Sequence, residues 1–191
     1  MKRENCTQNK SRESRALEDA QNDKRRTTMK FADLTDDFTQ LALPVLSHPR
    51  VRSMDQFIQH GSTTTLDHCM AVAYCSLLFV RTLNITCNEQ DLVTAALLHD
   101  YYLYDWHIKD ACPQRLHGFS HPHLALRNAM EDFILSKRAK NAIKRHMFPL
   151  TPIPPKYREG LIICFIDKIC STYEIFAKQP WAWAHLRELE V

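Results

Sequence analysis

Ala95-Ala96-Leu97-Leu98-His99-Asp100-Tyr101-Tyr102-Leu103 sets an adjacent histidine and aspartate inside an apolar run with helical spacing. A carboxylate is almost never fully buried unless paired, and burying even a neutral polar group without a partner costs roughly 2–7 kcal/mol. Any fold must therefore give this pair a partner or leave it at a wet helix end. Ile162-Ile163-Cys164-Phe165-Ile166-Asp167-Lys168-Ile169-Cys170 poses the problem again, in a segment apolar nearly all round and so expected at the centre of a helical bundle. Lys168 does not answer it, because helix neighbours one apart do not face each other. Two such anomalies on different helices point to convergence on one buried ion.

The rest of the pattern is helical. A first helix is expected over about 33–46, with Phe31, Leu34, Phe38, Leu41 and Val45 at helical spacing and Pro44 in the last turn. A short amphipathic helix follows over about 51–60, ended by Gly61, and Ser62 to Thr65 supply capping hydroxyls for a long apolar helix over about 66–84. Asn88, with Asp91 three residues on, resembles a capping box for a helix reaching about Tyr104. A loop with His107 and His117 leads to Ser120-His121-Pro122, where Ser120 reads as an N-cap and the proline as an early helical position. Ser136 caps a helix over about 137–147, Pro149 through Pro155 is a rigid break, and a last long helix over about 155–178 stops at Gln179-Pro180. No internal repeat and no useful strand-like alternation appears. The expected architecture is all-α: one helical domain over 29–180, a flexible polar tail over 1–28 and a helical C-terminal tail over 181–191.

Composition removes several alternatives. Three glycines are too few for a Gly-rich phosphate loop or a turn-dense β-sandwich. Residues 1–30 hold nine Lys/Arg and five Asp/Glu, a net of +4 against +3 for the whole chain, so the remainder comes to −1 and no dedicated nucleic-acid surface is indicated. Seven cysteines with no CxxC pair read as reduced thiols of a cytoplasmic protein. The N-terminus has no apolar signal core, and the longest apolar run, 71–80, is shorter than the about 20 residues a membrane span needs.

Histidines supply the remaining candidates. His68 opens one helix, His121 opens another and His146 ends a third, and helix ends are where side chains reach a shared pocket in a bundle. His123 competes with His121, but two helical positions turn it about 200° away, so at most one of them is a ligand.

The ordered set His68, His99-Asp100, Asp167 resembles the HD-domain superfamily of metal-dependent phosphohydrolases. Leu97-Leu98-His99-Asp100 matches its doublet motif and Leu66-Asp67-His68-Cys69-Met70-Ala71-Val72-Ala73 its first-histidine helix, and the similarity covers roughly 60–175. The resemblance implies an HD-like helical bundle in which His68, His99, Asp100 and Asp167 hold a metal. His121 and His146 fall where two-metal members, such as the HD-GYP phosphodiesterases, place extra histidines. That implies two ions, with Asp100 as the bridge and central catalytic ligand, His68, His99 and Asp167 on one ion, and His121 and His146 on the other. Imidazole and carboxylate donors together favour Mn, Fe, Co or Zn over Mg or Ca. The implied reaction is attack of a metal-activated water on a small phosphorylated substrate such as a nucleotide, with His60, Arg145 and Lys168 as candidate substrate contacts. The two-metal phosphodiesterases often continue the doublet as Ile-Gly-Lys, whereas this chain reads Tyr101-Tyr102-Leu103 and has no GYP signature, so a cyclic-dinucleotide substrate is not implied. Tyr101, Tyr102, Tyr104 and Trp106 either wall a base-stacking pocket or belong to the core. HD-type diiron oxygenases of small polyols or phosphonates use a similar residue set, and a non-catalytic HD binding module is a third reading; spacing alone does not separate them.

Overall fold

The computed structural model describes residues 31–105 and 117–177, which form seven helices and one two-stranded hairpin, in agreement with the all-α expectation. The tails expected over 1–28 and 181–191, and the loop residues 106–116 with His107 and Trp106, lie outside the described residues. The chain divides into two compact units, Met1–Asp36 and Asp37–Val191. The described part of the first unit is the opening of helix α1 (Phe31–Leu46); the candidate metal centre belongs wholly to the second.

Local capping sets where the site-bearing helices begin and end. Helix α3 (Thr65–Thr82) starts on Thr64, whose hydroxyl accepts the Asp67 N–H at 3.2 Å. It ends with Asn84 in the left-handed region at φ 51, where Ile85 N–H donates to Val80 O at 2.8 Å and Asn84 N–H to Arg81 O at 3.3 Å, a Schellman closure. Helix α4 (Glu89–Leu98) is capped by Asn88, which accepts the Asp91 N–H at 2.8 Å as its sequence suggests. The reciprocal bond comes from elsewhere: Asn88 N–H donates to Glu159 of helix α7 (Arg158–Ala177) at 2.9 Å. A distant carboxylate thus sits at the positive end of α4. Ser136 caps helix α6 (Lys137–Arg145) by accepting from the N–H groups of Arg138 and Ala139.

Helix α3 packs along α4 and α7, and α6 packs on both α4 and α7, with helix α5 (His117–Asp132) against α6. Ala71, Ala73, Ala95 and Ala96 are buried along α3 and α4, with Val72, Leu77, Leu92, Val93, Leu97 and Ile163 in the core beside them. No described helix is long and apolar enough to cross a membrane.

Four local expectations change. Residues 51–60 do not form one helix: a single turn, α2 (Pro49–Arg52), and a 3-10 turn (Ser53–Gln56) lead into an antiparallel hairpin of β1 (Ile58–His60) and β2 (Thr63–Thr64). Gly61 makes the reversal at φ +57, a conformation that L side chains rarely adopt. Helix α4 ends at Leu98 rather than near Tyr104, with His99 as its C-cap, and Leu103 beyond it sits at φ 61. Helix α5 begins at His117, so Pro122 lies inside it rather than at its start and Ser120 is not its cap; the bond the proline cannot make falls near the helix start, where few carbonyls lose a partner. Helix α7 is not buried all round: Leu161, Phe165, Ile169 and Tyr173 form an exposed stripe, while Ile163, Ile166, Asp167, Cys170 and Glu174 face inward.

Gly160 fits α7 against its neighbours, since an added Cβ would stand 2.6 Å from Pro155 Cβ and 3.3 Å from Ala142 Cα. Gly160→Ala should therefore destabilise the protein by about 1–3 kcal/mol through overpacking. A urea unfolding midpoint equal to that of the unmutated protein would refute this account of the α6–α7 contact.

Candidate metal centre

Five helices, with the residues just past the ends of two of them, deliver six side chains to one buried point. His68 comes from the first turn of α3, His99 and Asp100 from the C-terminal end of α4, His121 from α5, His146 from the C-cap of α6 and Asp167 from α7. All six are less than a tenth exposed. His123, two positions from His121, is exposed, which resolves the choice between them.

The six side chains divide into two halves that meet at Asp100. In the first half, His68 Nε2 lies 3.2 Å and His99 Nε2 3.8 Å from Asp167 Oδ1. Asp100 Oδ2 faces this half, 3.6 Å from His99 Nε2 and 3.9 Å from His68 Nε2. In the second half, Asp100 Oδ1 lies 3.2 Å from His121 Nε2 and 3.4 Å from His146 Nε2, and those two nitrogens are 2.8 Å apart. His68, His99 and Asp167, and separately His99, Asp100 and His146, each offer ligand atoms within 4.8 Å of one another.

For His68, His99 and His146 the outer face of the imidazole explains why Nε2 points inward. His99 Nδ1 lies 2.7 Å from Ala96 O, and His146 Nδ1 lies 2.8 Å from Ile143 O, each a carbonyl three residues back. His68 Nδ1 instead meets both carboxylate oxygens of Glu174, at 2.9 and 3.0 Å. An Nδ1–H spent on such acceptors leaves Nε2 as the lone-pair nitrogen, the usual outer-shell device at metal sites. Of the inward atoms, His68 Nε2, His99 Nε2 and Asp100 Oδ1 are buried without a hydrogen-bond partner. Buried polar atoms are rarely left so, and three of them converging on one point fit a divalent cation.

The electrostatics agree with that fit. Burial works against a charge on His68, yet the carboxylates of Asp167 and Glu174 outweigh it and push its pKa up to about 10. His99 is likewise raised against its burial, chiefly by the charge of Asp100. Burial would raise Asp100 and Asp167, but the imidazoles hold both carboxyls well below the usual range. His146 moves the other way, its pKa lowered first by burial. Protons on imidazoles thus take up positive charge that the carboxylates require, in the place where an ion would supply it.

Several further residues surround this centre. Gln59, on β1, donates its Nε2–H to Asp100 Oδ2 at 2.7 Å, while its carbonyl accepts from the Tyr102 hydroxyl and lies 3.4 Å from the Thr65 hydroxyl. Tyr101 is buried and donates to Asp132, which also takes two bonds from Arg50. Tyr101 is thus part of the core, and Tyr102 supports Asp100 through Gln59. His60 is half-buried, its ring 5.9 Å from that of His68, and burial, followed by the charge of His68, lowers its pKa. Lys168, with its side chain 44% exposed, donates to His146 O at 3.3 Å and has Asp167 Oδ2 at 3.6 Å. Arg145 stands half-buried one residue before His146.

A family model for the HD domain matches residues 65–172, more than half of the 191-residue chain, and the chain belongs to that family. HD domains are in general metal-dependent hydrolases of the phosphohydrolase superfamily and bind divalent metals. No curated protein and no solved structure matches this chain.

Sequence reasoning singled out the six central residues and missed Glu174 and Gln59. Glu174 had a legible signal: it lies two helical turns after Asp167 and on the same face. Gln59 had none, because its inward position depends on a hairpin that the apolar pattern did not announce. The raised pKa of His68 also fixes a pH dependence for the protein freed of metal. A group raised from 6.5 to about 10 on folding gives stability that is complete below 6.5 and lost as pH rises through about 10. Thermal unfolding of chelator-treated protein should accordingly occur at falling temperature as pH rises across that interval, and a divalent ion should remove the trend. A flat profile without metal would contradict the assigned environment of His68.

Proposed function

We propose that this chain is a two-metal phosphohydrolase acting on a small phosphate ester such as a nucleotide. The observation that carries this reading is the orientation of Asp100, whose two oxygens address opposite histidine groups. In this reading His68, His99 and Asp167 hold one ion, His121 and His146 hold the other, and Asp100 bridges them. A pair of Mn, Fe, Co or Zn ions in such a site supplies an acidified water and neutralises charge on phosphate oxygens.

The chain's own residues then have distinct tasks. Gln59 holds Asp100 by one oxygen and keeps the carboxylate plane turned toward both histidine groups. Burial of the imidazoles keeps bulk water from competing for the lone pairs. Lys168 places an ammonium beside Asp167 on a partly exposed side chain, where it can meet a phosphate oxygen as the substrate enters. His60, neutral near physiological pH because its pKa is lowered, can donate a hydrogen bond to a leaving or non-bridging oxygen. Arg145 is assigned a weaker part in holding substrate charge.

A panel of phosphomonoesters and phosphodiesters, run with Mn, Fe, Co, Ni, Zn and Mg added separately, tests the reaction class. Phosphate or nucleotide release with a transition metal supports it, whereas iron-dependent oxygen uptake without phosphate release would replace it with the oxygenase reading. Asp100→Ala should abolish turnover and lower the metal content of the folded protein, and unchanged metal content and rate in that variant would sink the bridging role. Lys168→Ala should raise KM by about tenfold, the equivalent of one exposed charge-assisted bond of about 1.4 kcal/mol, while metal content stays the same.

A further inference from the structure

His68 differs from its two partners in what secures its outer nitrogen. His99 and His146 are helix C-caps, and the last turn of a helix leaves carbonyls without intrahelical partners. Ala96 O and Ile143 O are such carbonyls, so each of these imidazoles finds an acceptor in its own helix. His68 lies in the first turn of α3, where the free backbone groups are N–H donors and no local carbonyl is spare. Its Nδ1 must therefore be met from another element, and Glu174 of α7 meets it with both oxygens. Glu174 is 1% exposed. A buried carboxylate at that position has a desolvation cost that only a lasting partner offsets.

We infer that Glu174 is a positioning residue that holds His68 as an Nε2 ligand and makes it a stronger donor than His99 or His146. The inference rests on the metal-centre reading given above. A carboxylate acceptor draws the Nδ1 proton more strongly than a backbone carbonyl does, and the charge it leaves on the ring raises the basicity of Nε2. The half of the centre built from His68, His99 and Asp167 is then the tighter of the two, and its affinity depends on a residue that touches neither ion nor substrate.

The test is a metal titration of the full chain, first stripped with chelator, using Zn2+ in competition with a chromophoric chelator and Co2+ by its visible absorption. The native protein is compared with Glu174→Gln and Glu174→Ala, each checked for fold by circular dichroism. In both variants the tighter binding step should weaken by about 10–100-fold, more in the alanine than in the near-isosteric glutamine, with the weaker step unchanged. Where the alanine variant does not fold, the glutamine variant carries the comparison. Equal affinities in folded Glu174→Gln and native protein overturn the positioning role, as does a parallel loss at both steps, which marks general destabilisation. Failure of the native protein to bind either ion overturns the metal-centre reading instead.

Discussion

Three buried carboxylates, Asp100, Asp167 and Glu174, share one pocket with four buried imidazoles, and the rest of the structure answers to that concentration of charge. Carboxylates taken out of water cost several kcal/mol each unless matched by cations and hydrogen bonds. The protein meets this from both sides: the imidazoles stand within ion-pair range of the carboxylates, and the outer nitrogens of His68, His99 and His146 are each matched to an acceptor. Packing the bundle with the same apolar area but a shifted helix would leave these groups unpaired. The centre therefore constrains how α3, α4, α6 and α7 sit together, and is not simply carried by them.

Helix ends are the means by which this is done. Placing His99 and His146 at C-caps gives each imidazole a free carbonyl from its own last turn, so the tautomers of these two rings need no distant partner. The stop of α4 at Leu98 also lets Asp100 leave the helical path, with Leu103 in the left-handed region just beyond. A bulky residue there costs about 1–3 kcal/mol, and the two buried tyrosines just before it are held in place, Tyr101 through Asp132 and Arg50, Tyr102 through Gln59. Tyr102 thus serves the geometry of the carboxylate through Gln59.

The hairpin is the least conspicuous part of the fold, yet it reaches the centre. Its three residues before the turn have separate tasks: Ile58 faces outward, Gln59 reaches Asp100, and His60 approaches His68. Gly61 allows the reversal and passes close to the Glu174 carbonyl, at 3.6 Å from where a Cβ would stand. A polar residue points inward here because its partner is inside, which reverses the usual hydrophobic logic of a short strand.

That inversion marks the boundary between local and tertiary information. The ordered resemblance to HD domains drew His68, His121 and His146 into one set with the doublet; helical periodicity, the capping residues Asn88 and Ser136, and the chemical oddity of His99-Asp100 and Asp167 in apolar runs pointed to an all-α fold and to three of the residues that meet at its centre. Each of these last signals is local, arising from spacing along one helix or from a polar group that its own neighbours cannot satisfy. The end of α4, the hairpin at Gln59, the exposed face of α7, and the ties from Glu159 to Asn88 and Glu174 to His68 were decided only by the assembled structure. For the hairpin, the two ties and the turn after α4, the partner that fixes the conformation lies tens of residues away, where no periodicity within a single element can register it.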